Sequence, residues 1–122
     1  MILGVGLDLC EVDRMGEALE KGGFLERFFA PGEQAYILSR GKGRAESMAG
    51  HFAAKEAGLK ALGCGIALPL KEIWVDHDER GAPFFRLTGQ VLALFEKRGG
   101  KALWLSITHT RETAAAVAIL EG

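Results

Sequence analysis

Two acidic residues and one lysine have the types and spacing needed for chemistry on a phosphate. Asp8 lies near the end of an apolar segment, and Glu56 and Lys60 are four residues apart in a long helical stretch. Mg²⁺ takes one or two protein carboxylates and completes its octahedron with water and phosphate oxygens, so Asp8 and Glu56 would supply enough ligands. Lys60 shares a helix face with Glu56 and could contact a phosphate there.

Each of these residues also has a simpler interpretation. Glu56 and Lys60 could form a surface ion pair, which is common on exposed helices and adds little stability. Asp8 could be a solvated strand-end carboxylate or a cap for the following helix. The local charge favours the phosphate interpretation, because residues 40–60 hold five basic and two acidic side chains in a chain of net charge −1.

Two further segments could face a ligand. Gly63 and Gly65 follow a helix, so they could form a helix C-cap and turn, or a loop that offers its amides to a ligand. His109 closes a predicted strand and could be bonded into a turn or could contact a ligand. The sequence has no GxSxG or HExxH motif, and its histidines lack the spacing of a zinc site.

Hydrophobic spacing and turn residues predict the elements that hold these side chains. Residues 2–9 are a predicted strand, and small residues share the face of Asp8, so another backbone or a ligand can approach there. The strongest predicted helix covers 45–62 and ends at Gly63. The other elements are helices over 13–29, interrupted at Gly22-Gly23, over 31–39 and over 89–98, and strands over 73–78, 83–87, 102–109 and 114–120.

This order of elements predicts an α+β fold, with helices packed on a mostly antiparallel sheet, in a single domain over 1–122. Asp13 and Thr88 are expected to cap the helices that follow them. The alanine run at 114–118 is unusual for a strand, and it would let a helix or a neighbouring subunit approach closely.

Composition and charge exclude several classes of protein. Hydrophobic residues make up 48% and charged residues 25% of the 122 residues, which is ordinary globular usage. The charge of −1 argues against a general affinity for nucleic acid or anionic membranes, and no apolar stretch is long enough to span a bilayer. We expect a cytoplasmic protein, because no secretory signal is visible and Cys10 and Cys64 form no disulfide framework.

Several segments together resemble the holo-acyl-carrier-protein synthase family, the small 4′-phosphopantetheinyl transferases. They are GVGLDL at 4–9 with Glu11 and Arg14, FAAKEA at 52–57 with Lys60 and GCGI at 63–66, DERGAP at 78–83, and LSITHT at 105–110 with Glu112. The segments span nearly the whole chain in the family's order. His51 and Cys64 depart from the pattern, since the family usually has an arginine and a threonine at these positions.

The resemblance implies a reaction of fatty acid biosynthesis. The 4′-phosphopantetheine arm of coenzyme A would move to a serine of apo acyl carrier protein, with release of adenosine 3′,5′-bisphosphate and with Mg²⁺ bridging the pyrophosphate. The resemblance also implies a homotrimer with active sites between subunits. The alternative is a non-catalytic trimeric domain that binds coenzyme A or the carrier protein.

The motifs also imply catalytic roles. Asp8 and Glu56 would be the Mg²⁺ ligands, and Lys60 would contact the pyrophosphate, so that these three form the implied catalytic set. The carrier supplies the nucleophilic serine, which explains why the chain has no nucleophile motif of its own. The sequence leaves open whether Glu56 or a water on the metal takes the serine proton.

Further residues are implied to bind the two substrates. Gly63 and Gly65 would line the coenzyme A site together with Lys60, and His109 would lie near the 3′-phosphate. Arg14 would face the carrier protein, and Arg27 is the next candidate for that contact.

Overall fold

The computed structural model describes residues 1–122 except for the side chain of Ile66, which belongs to the GCGI segment and lies outside the description. The α-helices are α1 (Val12–Lys21), α2 (Phe24–Phe28), α3 (Pro31–Leu38), α4 (Arg44–Ala61) and α5 (Gly89–Lys97). The strands are β1 (Ile2–Glu11), β2 (Ile73–His77), β3 (Pro83–Leu87), β4 (Ala102–His109) and β5 (Thr113–Glu121).

The strands form two antiparallel units. One is a sheet in the order β1-β5-β4, and the other is the hairpin β2-β3. Helix α4 packs across one face of the β1-β5-β4 sheet and also contacts α1, α3 and β2. The predicted α+β fold with antiparallel strands is therefore confirmed, and α4 is the element around which the others are arranged.

The close packing of β1 on α4 depends on two glycines. A Cβ atom on Gly4 would lie 2.0 Å from the carbonyl oxygen of Ala61, and one on Gly6 would lie 1.8 Å from that of Ala57. The small face of this strand was expected to admit another backbone or a ligand, and at Gly4 and Gly6 it admits the backbone of α4. On β5, the alternate residues Ala114, Ala116 and Ala118 are buried on the α4 side of the sheet, so a helix uses their small size.

The opposite face of this sheet is apolar and exposed in the single chain. Val5, Leu7 and Leu9 on β1 and Trp104 on β4 are each about 60% exposed, with values from 59% to 67%. We call these four residues the outer sheet face. Across the residues that the structure describes, no helix is both long and apolar enough to cross a bilayer.

The predicted helix over 13–29 is broken as expected, but its start differs. Gly22 and Gly23 adopt φ angles of 77° and 90°, which separate α1 from α2. Asp13 is not the cap of α1 but lies in its first turn. The reason is that β1 runs directly into α1: Glu11 occupies the cap position, and the amide of Val12 donates to the carbonyl of Glu112 at 2.9 Å.

The start of α5 is capped from outside the helix. Thr88 occupies the predicted cap position. Its side chain makes no capping hydrogen bond. The hydrogen bond to the first turn of the helix comes instead from Glu72, whose Oε1 accepts from the amide of Gln90 at 2.8 Å. A carboxylate at this helix end also matches the helix dipole.

A buried ion pair fixes α4 against α3 and β2. Lys55 on α4 donates to Glu33 on α3, and both side chains are fully buried. The remaining bonds of the carboxylate are to the amides of Ala30 at 3.1 Å and Val75 at 3.0 Å. Lys55 therefore adds nothing to the surface charge of residues 40–60. Four basic side chains of this segment remain outside the core, one fewer than the sequence suggests.

Candidate active site

Asp8 and Lys60 meet where β1 passes under the end of α4. The Nζ of Lys60 donates to Oδ1 of Asp8 at 3.0 Å and to the carbonyl of Leu7 at 3.1 Å. Asp8 is largely enclosed, with 12% of its side chain exposed, whereas Lys60 is half exposed. Lys60 thus bridges to the strand instead of forming the simple surface pair with Glu56.

Glu56 lies close enough to Asp8 for the two carboxyl groups to interact. Burial raises the pKa of Glu56 to about 7, and a hydrogen bond to Asp8 and its negative charge act in the same direction. Lys60 and Arg14 oppose this rise. Two carboxyl groups that approach this closely cannot both be ionised at little cost unless a cation joins them.

The donor set of this site fits a hard divalent cation. Mg²⁺ commonly takes one or two carboxylates, and a cation between Asp8 and Glu56 would offset the repulsion that contributes to the raised pKa of Glu56. Within the described part of the chain, no three His, Cys, Asp or Glu side chains come together in a metal-binding group. The two carboxylates therefore fit an ion whose remaining ligands come from water and a bound phosphate.

A groove of about 620 Å³ extends from Glu56. Its walls are largely apolar and include Phe28, Phe52, Leu68 and Leu70. A slender ligand arm could lie in this groove with its reactive end at the carboxylates.

The two glycines after α4 have different surroundings. Gly63 ends the helix with a φ of 81°, and its amide donates to the carbonyl of Lys60 at 3.0 Å, so its predicted place just beyond the end of the helix is confirmed. Gly65 also has a positive φ, of 56°, and apart from its two neighbours in the chain no described atom lies within 4 Å of where its Cβ would be. The turn thus leaves Gly65 open to a ligand.

His109 lies in a second cleft, of about 320 Å³, that the sequence did not reveal. The lining includes all three histidines of the chain together with Tyr36 and Arg40. The Nδ1 of His109 is 3.4 Å from a carboxylate oxygen of Glu46 and 3.3 Å from the carbonyl of Thr110. The lining residues come from different helices, strands and loops, so no sequence pattern could have grouped them.

His51 is nearly buried in the wall of this cleft. Its Nδ1 donates to the carbonyl of Ser47 at 2.7 Å. Burial lowers the pKa of His51 to about 4, so the ring is neutral at pH 7. Over the described residues, Nε2 of His51 and Oγ of Ser47 are buried without a hydrogen-bond partner, which leaves polar atoms available in the cleft wall.

The histidine cleft lies beside the first half of α4, and the carboxylates lie beside its second half. Glu46 in the cleft and Glu56 at the carboxylates are ten residues apart on this helix. At 1.5 Å per residue, that is about 15 Å along the helix axis, and His51 in the cleft wall is five residues, or about 8 Å, from Glu56. One chain therefore presents two separate partial sites.

Arg14 and Arg27 are close enough to act together. Both line a groove of about 500 Å³ between α1 and α2. The guanidinium of Arg14 lies 5.8 Å from the ring centre of Phe52, and that of Arg27 lies 5.1 Å from that of Phe28. Because these two rings also line the groove beside Glu56, the arginines flank the carboxylate site.

Known proteins resemble this chain over its full length. Residues 4–119 match the model of the 4′-phosphopantetheinyl transferase superfamily. A holo-[acyl-carrier-protein] synthase of Treponema denticola is 49% identical over 123 residues and covers 100% of both chains. One from Syntrophus aciditrophicus is 43% identical, over 100% of this chain and 98% of the relative.

Solved structures of holo-[acyl-carrier-protein] synthases also resemble this chain in fold. The holo-[acyl-carrier-protein] synthase of Neisseria meningitidis superposes with a TM-score of 0.89 at 32% identity, over 100% of both chains. The enzyme of Bacillus anthracis, in complex with CoA (3′,5′-ADP), superposes with a TM-score of 0.83 at 35% identity, over 99% of this chain and 97% of the other. By sequence and by fold, this chain belongs to the 4′-phosphopantetheinyl transferase superfamily.

Proposed function

We propose that this chain transfers the 4′-phosphopantetheine arm of coenzyme A to a serine of an apo acyl carrier protein, and that it releases adenosine 3′,5′-bisphosphate. The convergence of Asp8, Glu56 and Lys60 is the observation that carries the proposal. Full-length relatives named holo-[acyl-carrier-protein] synthase support it. A role in fatty acid biosynthesis in the cytoplasm is part of the same proposal.

The three side chains have distinct roles in this reaction. Asp8 and Glu56 would hold Mg²⁺, which when bound neutralises pyrophosphate charge and polarises the phosphoryl oxygens. Lys60, held 3.0 Å from Asp8, is aimed at the same point and stabilises the negative charge that develops as the phosphoanhydride bond breaks. The attacking hydroxyl comes from the carrier protein, and phosphoryl transfer needs positioning and charge neutralisation more than a nucleophile in the enzyme.

Coenzyme A would extend away from this point in two directions. The apolar groove beside Glu56 suits the pantetheine arm, and Gly65 leaves room near the pyrophosphate. The histidine cleft offers aromatic rings and the guanidinium of Arg40, which suit a base and a phosphate. We place His109 at the 3′-phosphate for this reason.

A homotrimer explains both the separate partial sites and the outer sheet face. The apolar side chains of this face would be buried between subunits. The carboxylates of one subunit would then face the histidine cleft of the next, in the heterologous contacts that close a ring of three. Coenzyme A would bind between the subunits.

The non-catalytic alternative depended on the departures at His51 and Cys64. His51 is bonded to the carbonyl of Ser47, and the thiol of Cys64 lies 3.5 Å from the carbonyl of Leu59. Both substitutions are thus accommodated within α4 and its end, and the three catalytic side chains still converge. The catalytic proposal is favoured for this reason.

The test is to incubate the protein with apo acyl carrier protein, coenzyme A and Mg²⁺, and to measure the mass of the carrier. We expect the carrier to gain one phosphopantetheine group and adenosine 3′,5′-bisphosphate to appear in equal amount. Binding of coenzyme A or carrier with no gain in mass would support the non-catalytic alternative and overturn the proposal.

A further inference from the structure

Arg98, just after α5, joins two backbone carbonyls from different elements. Its Nη1 donates to the carbonyl of Leu62 at 2.7 Å, and its Nη2 donates to that of Leu3 at 3.1 Å. A guanidinium suits this contact, since its nitrogens form a rigid planar fork.

Both carbonyls lie where regular pairing stops. Leu62 is the C-cap residue of α4, and the last carbonyls of a helix have no partner within it. Leu3 lies at the irregularity in the pairing of β1 with β5, between Ile2 and Gly4. Arg98 therefore fastens the end of α4 to the start of β1.

These two segments continue directly into the candidate active site. Lys60 lies two residues before Leu62, and Asp8 lies five residues after Leu3 on the same strand. Gly63 follows Leu62, and a Cβ atom there would lie 2.8 Å from Nη1 of Arg98. The guanidinium thus packs against the turn that begins the Gly63–Gly65 segment.

We propose that Arg98 is a positioning residue for coenzyme A, acting through the end of α4 and the turn at Gly63. The proposal rests on the proposed function, because Lys60 and this turn are the parts of the chain assigned to the pyrophosphate. Without Arg98 the last turn of α4 becomes more mobile. Lys60 and the turn at Gly63, which bind coenzyme A in the proposed function, then lose their fixed positions. We assign carrier docking to Arg14 and Arg27 on α1 and α2, so we expect carrier binding to be unaffected.

Three variants separate position from charge. Arg98→Met keeps a long side chain and removes the guanidinium. Arg98→Lys keeps the charge but replaces the planar fork, whose two nitrogens each reach one carbonyl, by a single nitrogen on a shorter side chain. Lys97→Met is the matched control, since Lys97 is an exposed cation at the end of the same helix. We expect both Arg98 variants to raise the KM for coenzyme A about tenfold, the size of one lost charged hydrogen bond, with the KM for the carrier unchanged.

The result for Arg98→Lys is the decisive kinetic comparison. A KM for coenzyme A equal to that of the unmodified protein would show that charge alone is enough, and would overturn the proposal. Equal rises in both KM values would indicate general destabilisation and would overturn it as well. Lys97→Met is expected to leave both constants unchanged.

A second measurement does not depend on activity. The amides of Gly63 and Cys64 donate to carbonyls of α4 at 3.0 Å and 3.2 Å, and hydrogen exchange reports their opening. We expect faster exchange at these two amides in both Arg98 variants and not in Lys97→Met. Unchanged exchange would overturn the proposal. If the unmodified protein transfers nothing, the proposed function fails, and exchange still decides whether Arg98 holds the turn.

Discussion

At the scale of single residues, the site depends on which polar groups are buried and which can still reach a ligand. Asp8 is enclosed but bonded to Lys60, whereas His51 is enclosed with one ring nitrogen free of any partner in the described structure. The first arrangement holds a charge in place for a ligand. The second has a consequence for stability that can be measured.

The buried ring of His51 makes folding sensitive to acid. Burial lowers its pKa from 6.5 to about 4. Above pH 6.5 the ring is neutral in the folded and unfolded chain. As the pH falls from 6.5 towards 4, only the unfolded chain takes up the proton, so the free energy of unfolding drops by up to ~1.4 kcal/mol per pH unit, or about 3 kcal/mol in total.

His51→Gln removes this titration and keeps a side-chain amide that can donate to Ser47. We expect the loss of stability between pH 7 and pH 5, measured by urea unfolding, to be smaller in this variant than in the unmodified protein. Parallel curves for the two proteins would show that His51 takes up its proton in the folded state.

Arg14 gives a second prediction at this scale. Acyl carrier proteins are acidic, so Arg14→Glu replaces an attraction by a repulsion and is expected to raise the KM for the carrier about tenfold. The KM for coenzyme A should change little, and the effect should shrink at high salt because exposed charges are screened.

Lys97→Glu makes the same change of charge at the far end of α5 and serves as the control for Arg14→Glu. Equal effects of the two variants, or an equal rise in both KM values for Arg14→Glu, would place the docking surface elsewhere. Arg27, in the same groove, would then be the next residue to test.

At the scale of elements, the contact between β1 and α4 determines where Asp8 and Lys60 meet. The missing side chains of Gly4 and Gly6 allow this contact, because the helix backbone occupies the space that a Cβ would need. The geometry of the site is therefore set by residues that take no part in the chemistry.

Gly6→Ala tests this dependence. Its Cβ would lie 1.8 Å from the carbonyl of Ala57, so the strand must move away from the helix. We expect the free energy of unfolding to fall by about 1–3 kcal/mol, the usual cost of overpacking. We also expect turnover to fall, because Asp8 moves away from Lys60. Gly43→Ala is the control, because Gly43 has a φ of −88° and open space around it. Equal melting temperatures for the two variants would contradict the account.

The elements that form the site differ in how well the sequence predicts them. The alternation of large apolar and small residues along β1 and the glycine after α4 are local signals in the sequence. The bounds of these two elements are therefore predicted to within one or two residues. The burial of Lys55 was not predictable, since a lysine in a helix normally faces solvent and its partner Glu33 is 22 residues away. The histidine cleft was missed because its lining residues come together only in the folded chain.

At the scale of the whole molecule, two features of the single chain favour the proposed trimer. Its outer sheet face exposes Val5, Leu7, Leu9 and Trp104 to solvent. Along α4, its histidine cleft lies about 8–15 Å from Glu56 at the carboxylates. The proposed trimer would account for both, since the same contacts would bury the face and bring the cleft of one subunit to the carboxylates of the next.

Light scattering should therefore give about three times the chain mass of 13.1 kDa. Leu7→Asp places a charge in the outer sheet face and is expected to dissociate the trimer and abolish turnover. Leu92→Asp is the matched control, because Leu92 is an exposed leucine on α5 and should tolerate the change. A monomer with full activity at the assay concentration would contradict the shared site.

The proposed phosphopantetheine transfer takes place at the two carboxylates, Asp8 and Glu56. The most direct test is the rate at which apo acyl carrier protein gains mass at limiting Mg²⁺, compared between the unmodified protein, Asp8→Asn and Glu56→Gln. Both substitutions keep the size of the side chain and remove its charge. With the fold retained, we expect each to slow the transfer by about 10²–10³-fold, as the loss of one charge-stabilising group does. Near-normal rates in both variants would contradict the account.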